Sequence, residues 1–186
     1  MKRMVEAQLL EWKKSPRRKP LLVRGARQVG KTYSIQRFGK EQFEDVAAVD
    51  LERNREWHRI FSGNLNPRNV LTELEILLNK KIVPGKTLLF FDEIQSCPPA
   101  IMALRYFFEE IPELHVVAAG SLLEFVLKDI SFPVGRVQYL EIHPLAFAEY
   151  LWAVGQEKAA GVVLSPPAKT TESIHKLLLD ELRRYC

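Results

Sequence analysis

The sequence is poor in cysteine. Cys97 and Cys186 are its only two, too few for a disulfide framework or a paired-cysteine zinc site. Its four histidines (His58, His115, His143, His175) are scattered without metal-ligand spacing, so no protein metal cage is expected. Long apolar runs are also missing: none approaches the ~20 residues needed to span a bilayer, so no membrane partner is read. The opening MKRMVEAQLLEWKK starts basic, but Glu6, Gln8 and Glu11 interrupt it before a signal-peptide core can develop, and the expected compartment is the cytoplasm. No internal repeat is visible.

What is present fits one globular unit. The chain has 186 residues, 47% of them hydrophobic and 27% charged, which is the balance of a domain with a real core. The net charge is +4, and the excess is local: Lys13, Lys14, Arg17, Arg18, Lys19, Arg24, Arg27 and Lys31 lie within one short stretch. Such a run attracts phosphate, on a nucleotide or on a nucleic-acid backbone, or it is a solvated turn beside a nucleotide site.

Five short apolar runs predict strands: PLLVRG, VAAVDL, KTLLFFDE, HVVAAGS and RVQYLEIH. Helical patterns separate them: residues 4–14, 31–43, much of 56–82 with a break at SGNLNPRN, PPAIMALRYFFEEIP, SLLEFVLK and PLAFAEYLWAV. Strands alternating with crossovers of this length argue for a three-layer α/β fold with a mainly parallel sheet. Residues 155–172 lose the pattern and read as a loop or the start of a partly ordered region, before a last helix over Ser173 to Arg184. The expected division is therefore 1–154 as one domain and 155–186 as a loop and the start of a further helical region.

Gly25-Ala26-Arg27-Gln28-Val29-Gly30-Lys31-Thr32 matches G-x-x-x-x-G-K-[ST] at every specified position, with Tyr33 next. The glycines allow backbone conformations closed to other residues, so successive N–H groups can turn around phosphates. Lys31 supplies a point charge to the β- and γ-phosphates and Thr32 a hydroxyl to Mg2+, at the positive end of a new helix. The motif lies between an apolar strand and an amphipathic helix, the context its mechanism requires. LLFFDE offers the complement: Asp92 as a Mg2+ ligand through water, and Glu93 to orient and polarise an attacking water.

Several positions carry alternatives. Ser121 either faces a γ-phosphate or caps the helix LLEFVLK. Arg136 either acts as an arginine finger, in its own or a neighbouring subunit, or makes a structural ion pair. Arg24 and Arg27 either contact phosphate or are solvated. Trp12 reads as a core residue, with packing beside a base as the other use.

The segments KPLLVRGARQVGKT, LLFFDEIQ, AAGSLLEF and FPVGRVQYLEIHPLAFAEYL, in that order, make the chain similar to prokaryotic AAA-superfamily ATPases whose P-loop domain precedes a C-terminal domain of unknown function. The resemblance implies a five-stranded parallel sheet in which the Walker B strand is separated from the P-loop strand by the strand bearing the sensor residue. It also implies Lys31 and Thr32 as Walker A residues, Asp92 and Glu93 as Walker B residues, Ser121 at the sensor position and Arg136 at the glycine-arginine position. Members continue into a C-terminal domain, so the chain reads as a truncated form. The expected activity is ATP hydrolysis with Mg2+, with Glu93, Lys31, Ser121 and Arg136 as catalytic candidates. The rival is a nucleotide-dependent switch or nucleic-acid-binding module with negligible turnover alone. A small-molecule kinase would need an arginine-rich lid and an acceptor pocket. A GTPase would need N-K-x-D, and the nearest segment, Asn79-Lys80-Lys81-Ile82, lacks the acid. As partners, a homo-oligomer with Arg136 acting in trans and a nucleic acid both stay open.

Overall fold

Alternation of side chains along three strands decides the architecture. In β3 (Thr87–Asp92), Leu88 and Phe90 enter one hydrophobic cluster while Leu89 and Phe91 enter another. β1 (Leu21–Arg24) and β4 (His115–Ala119) divide their residues in the same way, with Leu21 and Val23 opposite Leu22, and Val117 and Ala119 opposite Val116 and Ala118. A strand whose successive side chains point to opposite faces needs cover on both, and these three have it. The computed structural model describes residues 2–121, 123, 135–166 and 170–186.

With β2 (Asp45–Asp50) and β5 (Gln138–Glu141), these strands form one sheet in the order β2-β3-β4-β1-β5, every pair parallel. β4 stands between β1 and β3, the order that the resemblance implies. One face is covered by α1 (Val5–Lys14) and α2 (Lys31–Gln42), whose Leu9, Trp12, Ile35 and Phe38 are buried against it. The other is covered by a 3-10 segment (Arg55–Phe61), α3 (Pro67–Leu78) and α4 (Pro98–Glu110). α3 begins cleanly because Asn66 accepts from the Arg68 and Asn69 N–H groups and proline occupies the first turn.

Trp12 belongs to this core. It is 5% exposed, donates Nε1 to the Lys19 carbonyl and packs edge-on against His115. The helix expected over SLLEFVLK and the segment Phe132 to Val134 lie almost wholly outside the described residues.

Three helices follow the sheet: α5 (Phe147–Ala153), α6 (Glu157–Leu164) and α7 (Glu172–Tyr185). α6 corrects the loop expected over 155–172. Its sequence hides it: Gln156 makes no side-chain cap, Gly161 lies inside, and only Ala160 is buried. It holds because Ala160 joins Ala148 and Leu151 of α5 in a small separate cluster, so packing overrides weak propensity.

Candidate functional site

β1 runs into the loop 25–32 at its carboxyl end, and three residues of that loop take positive φ: Gly25 (154°), Gln28 (65°) and Gly30 (85°). Glycine at 25 is required by contact as well as conformation. A Cβ there would meet the Ile142 carbonyl oxygen at 2.1 Å, because the chain leaving β5 abuts the loop's first turn. Gly30 stands at the N-terminus of α2 in left-handed backbone, and the helix then aims its first amides into the loop.

Lys31 is buried and bends back across the loop, donating Nζ to the Gly25 carbonyl at 3.0 Å and the Ala26 carbonyl at 2.7 Å. Burial lowers its pKa, and the carboxylates of Glu93 and Asp92 oppose that shift. The ammonium thus rests on two neutral carbonyls within the field of the acidic pair, with no carboxylate in direct contact among the described residues.

The acidic pair comes from the neighbouring part of the sheet. Asp92 closes β3, 8% exposed, and accepts from Thr32 Oγ1 at 2.7 Å and from the Glu93 N–H at 3.1 Å. Burial raises its pKa, while the Thr32 and Glu93 hydrogen bonds pull it down. A hydroxyl and a carboxylate in contact are a fitting donor pair for a hard cation such as Mg2+, which takes its remaining ligands from water and phosphate. Glu93 takes left-handed backbone (φ 48°, ψ 46°) and accepts from Gln95 Nε2 at 2.6 Å.

The loop and Glu93 share a cavity of about 540 Å3, lined by Arg27, Gln28, Gly30, Lys31, Thr32 and Glu93, with Tyr33 and Glu52 completing the wall; Asp92 stands behind it, reached through Thr32. Tyr33 is 54% exposed on this wall. Ser121 follows β4 in the chain, between the strands that carry the loop and the acids; it is buried, and its hydroxyl has no hydrogen-bond partner among the described residues.

Arg136 is elsewhere. It precedes β5, at the amino end of the sheet, and its Nε lies 2.8 Å from Glu109 at the end of α4. In a parallel sheet that is the end opposite the loop. The basic run is divided in the same way. Arg18 donates to the Pro112 and Glu113 carbonyls and Lys13 to the Gln42 carbonyl, whereas Arg24 pairs with Glu141 beside the loop and Arg27 lines the cavity.

The residues that sequence reasoning missed stand behind the loop. Arg3, 8% exposed, donates Nη1 to the Val29 carbonyl, Nη2 to the His143 carbonyl and Nε to Glu149. Glu149 also accepts from the N–H groups of Met4 and Ala146. No local pattern announces this clamp, because its members are about 146 residues apart. Glu52 was missed as well, lying in a turn with no motif of its own.

A family model described as AAA domain matches residues 17–151. No curated protein matches the chain. The matched stretch contains the loop, both acids and Glu149, and leaves Arg3 outside it.

Proposed function

The chain belongs to the AAA domain family, and on that premise we propose that it binds ATP with Mg2+ and hydrolyses it to ADP and phosphate. The observation that carries this reading is the 2.7 Å hydrogen bond from Thr32 Oγ1 to Asp92 Oδ2. It joins the end of the glycine loop to the end of β3, with Lys31 and Glu93 on either side of the same cavity.

In this reading the loop amides and Lys31 bind the phosphates, and Tyr33 stands beside them at the start of α2. Thr32 and Asp92 hold Mg2+, which when bound neutralises charge on the phosphate oxygens. Glu93 orients a water and accepts its proton, and Ser121 lies toward the terminal phosphate. Adenine is preferred to guanine on the family and on the lack of a guanine-reading segment.

The position of Arg136 favours a second reading. It sits at the far end of the sheet, paired with Glu109, so it serves this cavity only from another copy of the chain. A lone chain then binds ATP as a switch and turns it over slowly, since an arginine finger is worth about 10³ to 10⁵ in rate.

Steady-state phosphate release with ATP and Mg2+, measured across protein concentrations, separates the two. The primary reading expects turnover that is lost in Glu93→Gln while ATP still binds, and binding that is lost in Lys31→Ala. Turnover per chain that rises with protein concentration brings in the second copy. Equal hydrolysis by the wild-type and Glu93→Gln chains would overturn the assignment of Glu93.

A further inference from the structure

Glu93 leaves β3 in a backbone conformation that residues with a side chain rarely adopt, and that conformation sets where its carboxylate goes. Two residues later, inside the 3-10 turn Ile94–Ser96, Gln95 reaches back and donates Nε2 to Glu93 Oε2 at 2.6 Å. The other end of the same amide is anomalous. Gln95 Oε1 is buried and has no hydrogen-bond partner among the described residues. A buried amide oxygen without a donor is unfavourable, so its placement asks for a reason outside its own bonding.

Gly120 shows what keeps the amide there. A Cβ at this position would lie 2.3 Å from Gln95 Oε1, so the amide occupies the space that any other residue would fill. Gly120 follows β4 and donates its N–H to the Val23 carbonyl of β1, so it is fixed to the strand that leads into the glycine loop. The order across the site is thus Gly120, the Gln95 amide, the Glu93 carboxylate and then the cavity.

We propose that Gln95 is a positioning residue for Glu93: its amide holds Oε2, leaves Oε1 for the attacking water, and depends on the bare backbone of Gly120 for its place. The role in turnover rests on the hydrolytic reading above; the hold itself does not.

Two variants separate the hydrogen bond from packing. Gln95→Met keeps the length of the side chain and removes the donor without adding a charge beside Glu93. Gly120→Ala keeps Gln95 and takes its space, pushing chiefly on the far end of that flexible side chain, while the buried Leu123 side chain, 3.0 Å from the new Cβ, gives by a few tenths of an ångström. Each is expected to lower kcat by about tenfold to 100-fold, the scale of misplacing a reacting group by ~1 Å, with the KM for ATP within about twofold, Tm unchanged in the Gln95 variant and only slightly lowered in Gly120→Ala, where Leu123 must give. Gly120→Ala made in a Gln95→Ala background is expected to add little, as residues acting in one unit are non-additive.

A second readout needs no turnover. The side-chain amide resonances of Gln95 in 15N-labelled protein should move when Glu93→Ala removes the acceptor, and should move again in Gly120→Ala. If the wild-type chain hydrolyses nothing, the function proposed above fails and these resonances alone decide the hold. Unmoved resonances overturn it, as does wild-type kcat in both variants, or a fall in kcat accompanied by equal losses of ATP binding and Tm.

Discussion

The two ends of the sheet treat charge differently. At the amino ends of the strands charges meet one another: Arg136 lies on Glu109, Lys86 on Glu44 and Lys80 on Asp45. At the carboxyl ends Arg24 also pairs with Glu141 and Arg3 with Glu149, but the three charged groups of the site do not meet a partner charge in this way. Lys31 rests on carbonyls, Asp92 on a threonine hydroxyl, and Glu93 on an amide. Opposite charges stand close around one cavity there and are each held by a neutral group, which leaves both signs available to a ligand that carries anionic oxygens and a cation. An end whose charges are already paired is built for the protein itself.

The strongest way to break this contrast is Glu93→Gln, which keeps shape and removes charge at the carboxyl end. Phosphate release should fall about 100- to 10,000-fold, the range for a lost general base, while calorimetric titration shows ATP binding within a few-fold of wild type. If both collapse together, the carboxylate supports structure and the contrast fails at its central residue.

Glu149→Ala sharpens the contrast, because the clamp lies at the ligand end yet serves the fold. It strands Arg3, 8% exposed, with its carboxylate gone. Urea unfolding should show a loss of about 3–5 kcal/mol, as for other buried pairs cut on one side.

His115 tests the amino end by pH. It is buried between Trp12 and Phe43, and burial, with Arg18 and Lys13 nearby, lowers its pKa from 6.5 to about 4. The folded state then binds the proton less readily than the unfolded chain, so stability present above pH 6.5 is lost as pH falls toward 4. Allowing for solvent screening, the loss is at most about 2 kcal/mol. His115→Phe should remove this component from the stability-pH curve measured by urea unfolding.

The smallest effect is expected at Arg136→Ala. Its pair with Glu109 is exposed, and thermal unfolding should shift Tm by less than about 2 °C. A larger shift would mean that the amino-end pairs are structural in a stronger sense than their exposure indicates.

Much of the fold could be read from the chain because its signals are local. The runs at 20–25, 86–93 and 115–121 are strands buried on both faces, and the glycine motif stands between a strand and a helix as its chemistry requires. The pairing of Thr32 with Asp92 could be expected in kind, although not in distance. Gln95 was in view as part of DEIQ, yet its bond to Glu93 depends on a left-handed turn that no propensity announces. The charge run from Lys13 to Lys31 does not form one patch, because β1 lies within it and carries its two parts to opposite ends of the sheet. Helix α6 was lost because its stability comes from α5 rather than from its own residues.

The clamp behind the loop also bears on the order in which the protein is made. Arg3, whose side chain holds the Val29 carbonyl, leaves the ribosome before Val29 does. Glu149, which orients that guanidinium, follows about 120 residues later, an interval of about 6 to 24 s at ordinary rates of synthesis. Ile142, whose carbonyl abuts Gly25, arrives scarcely sooner. The nascent chain therefore carries a complete glycine motif well before it can carry a finished cradle, and nucleotide capture during translation should begin only after the segment 142–149 has emerged.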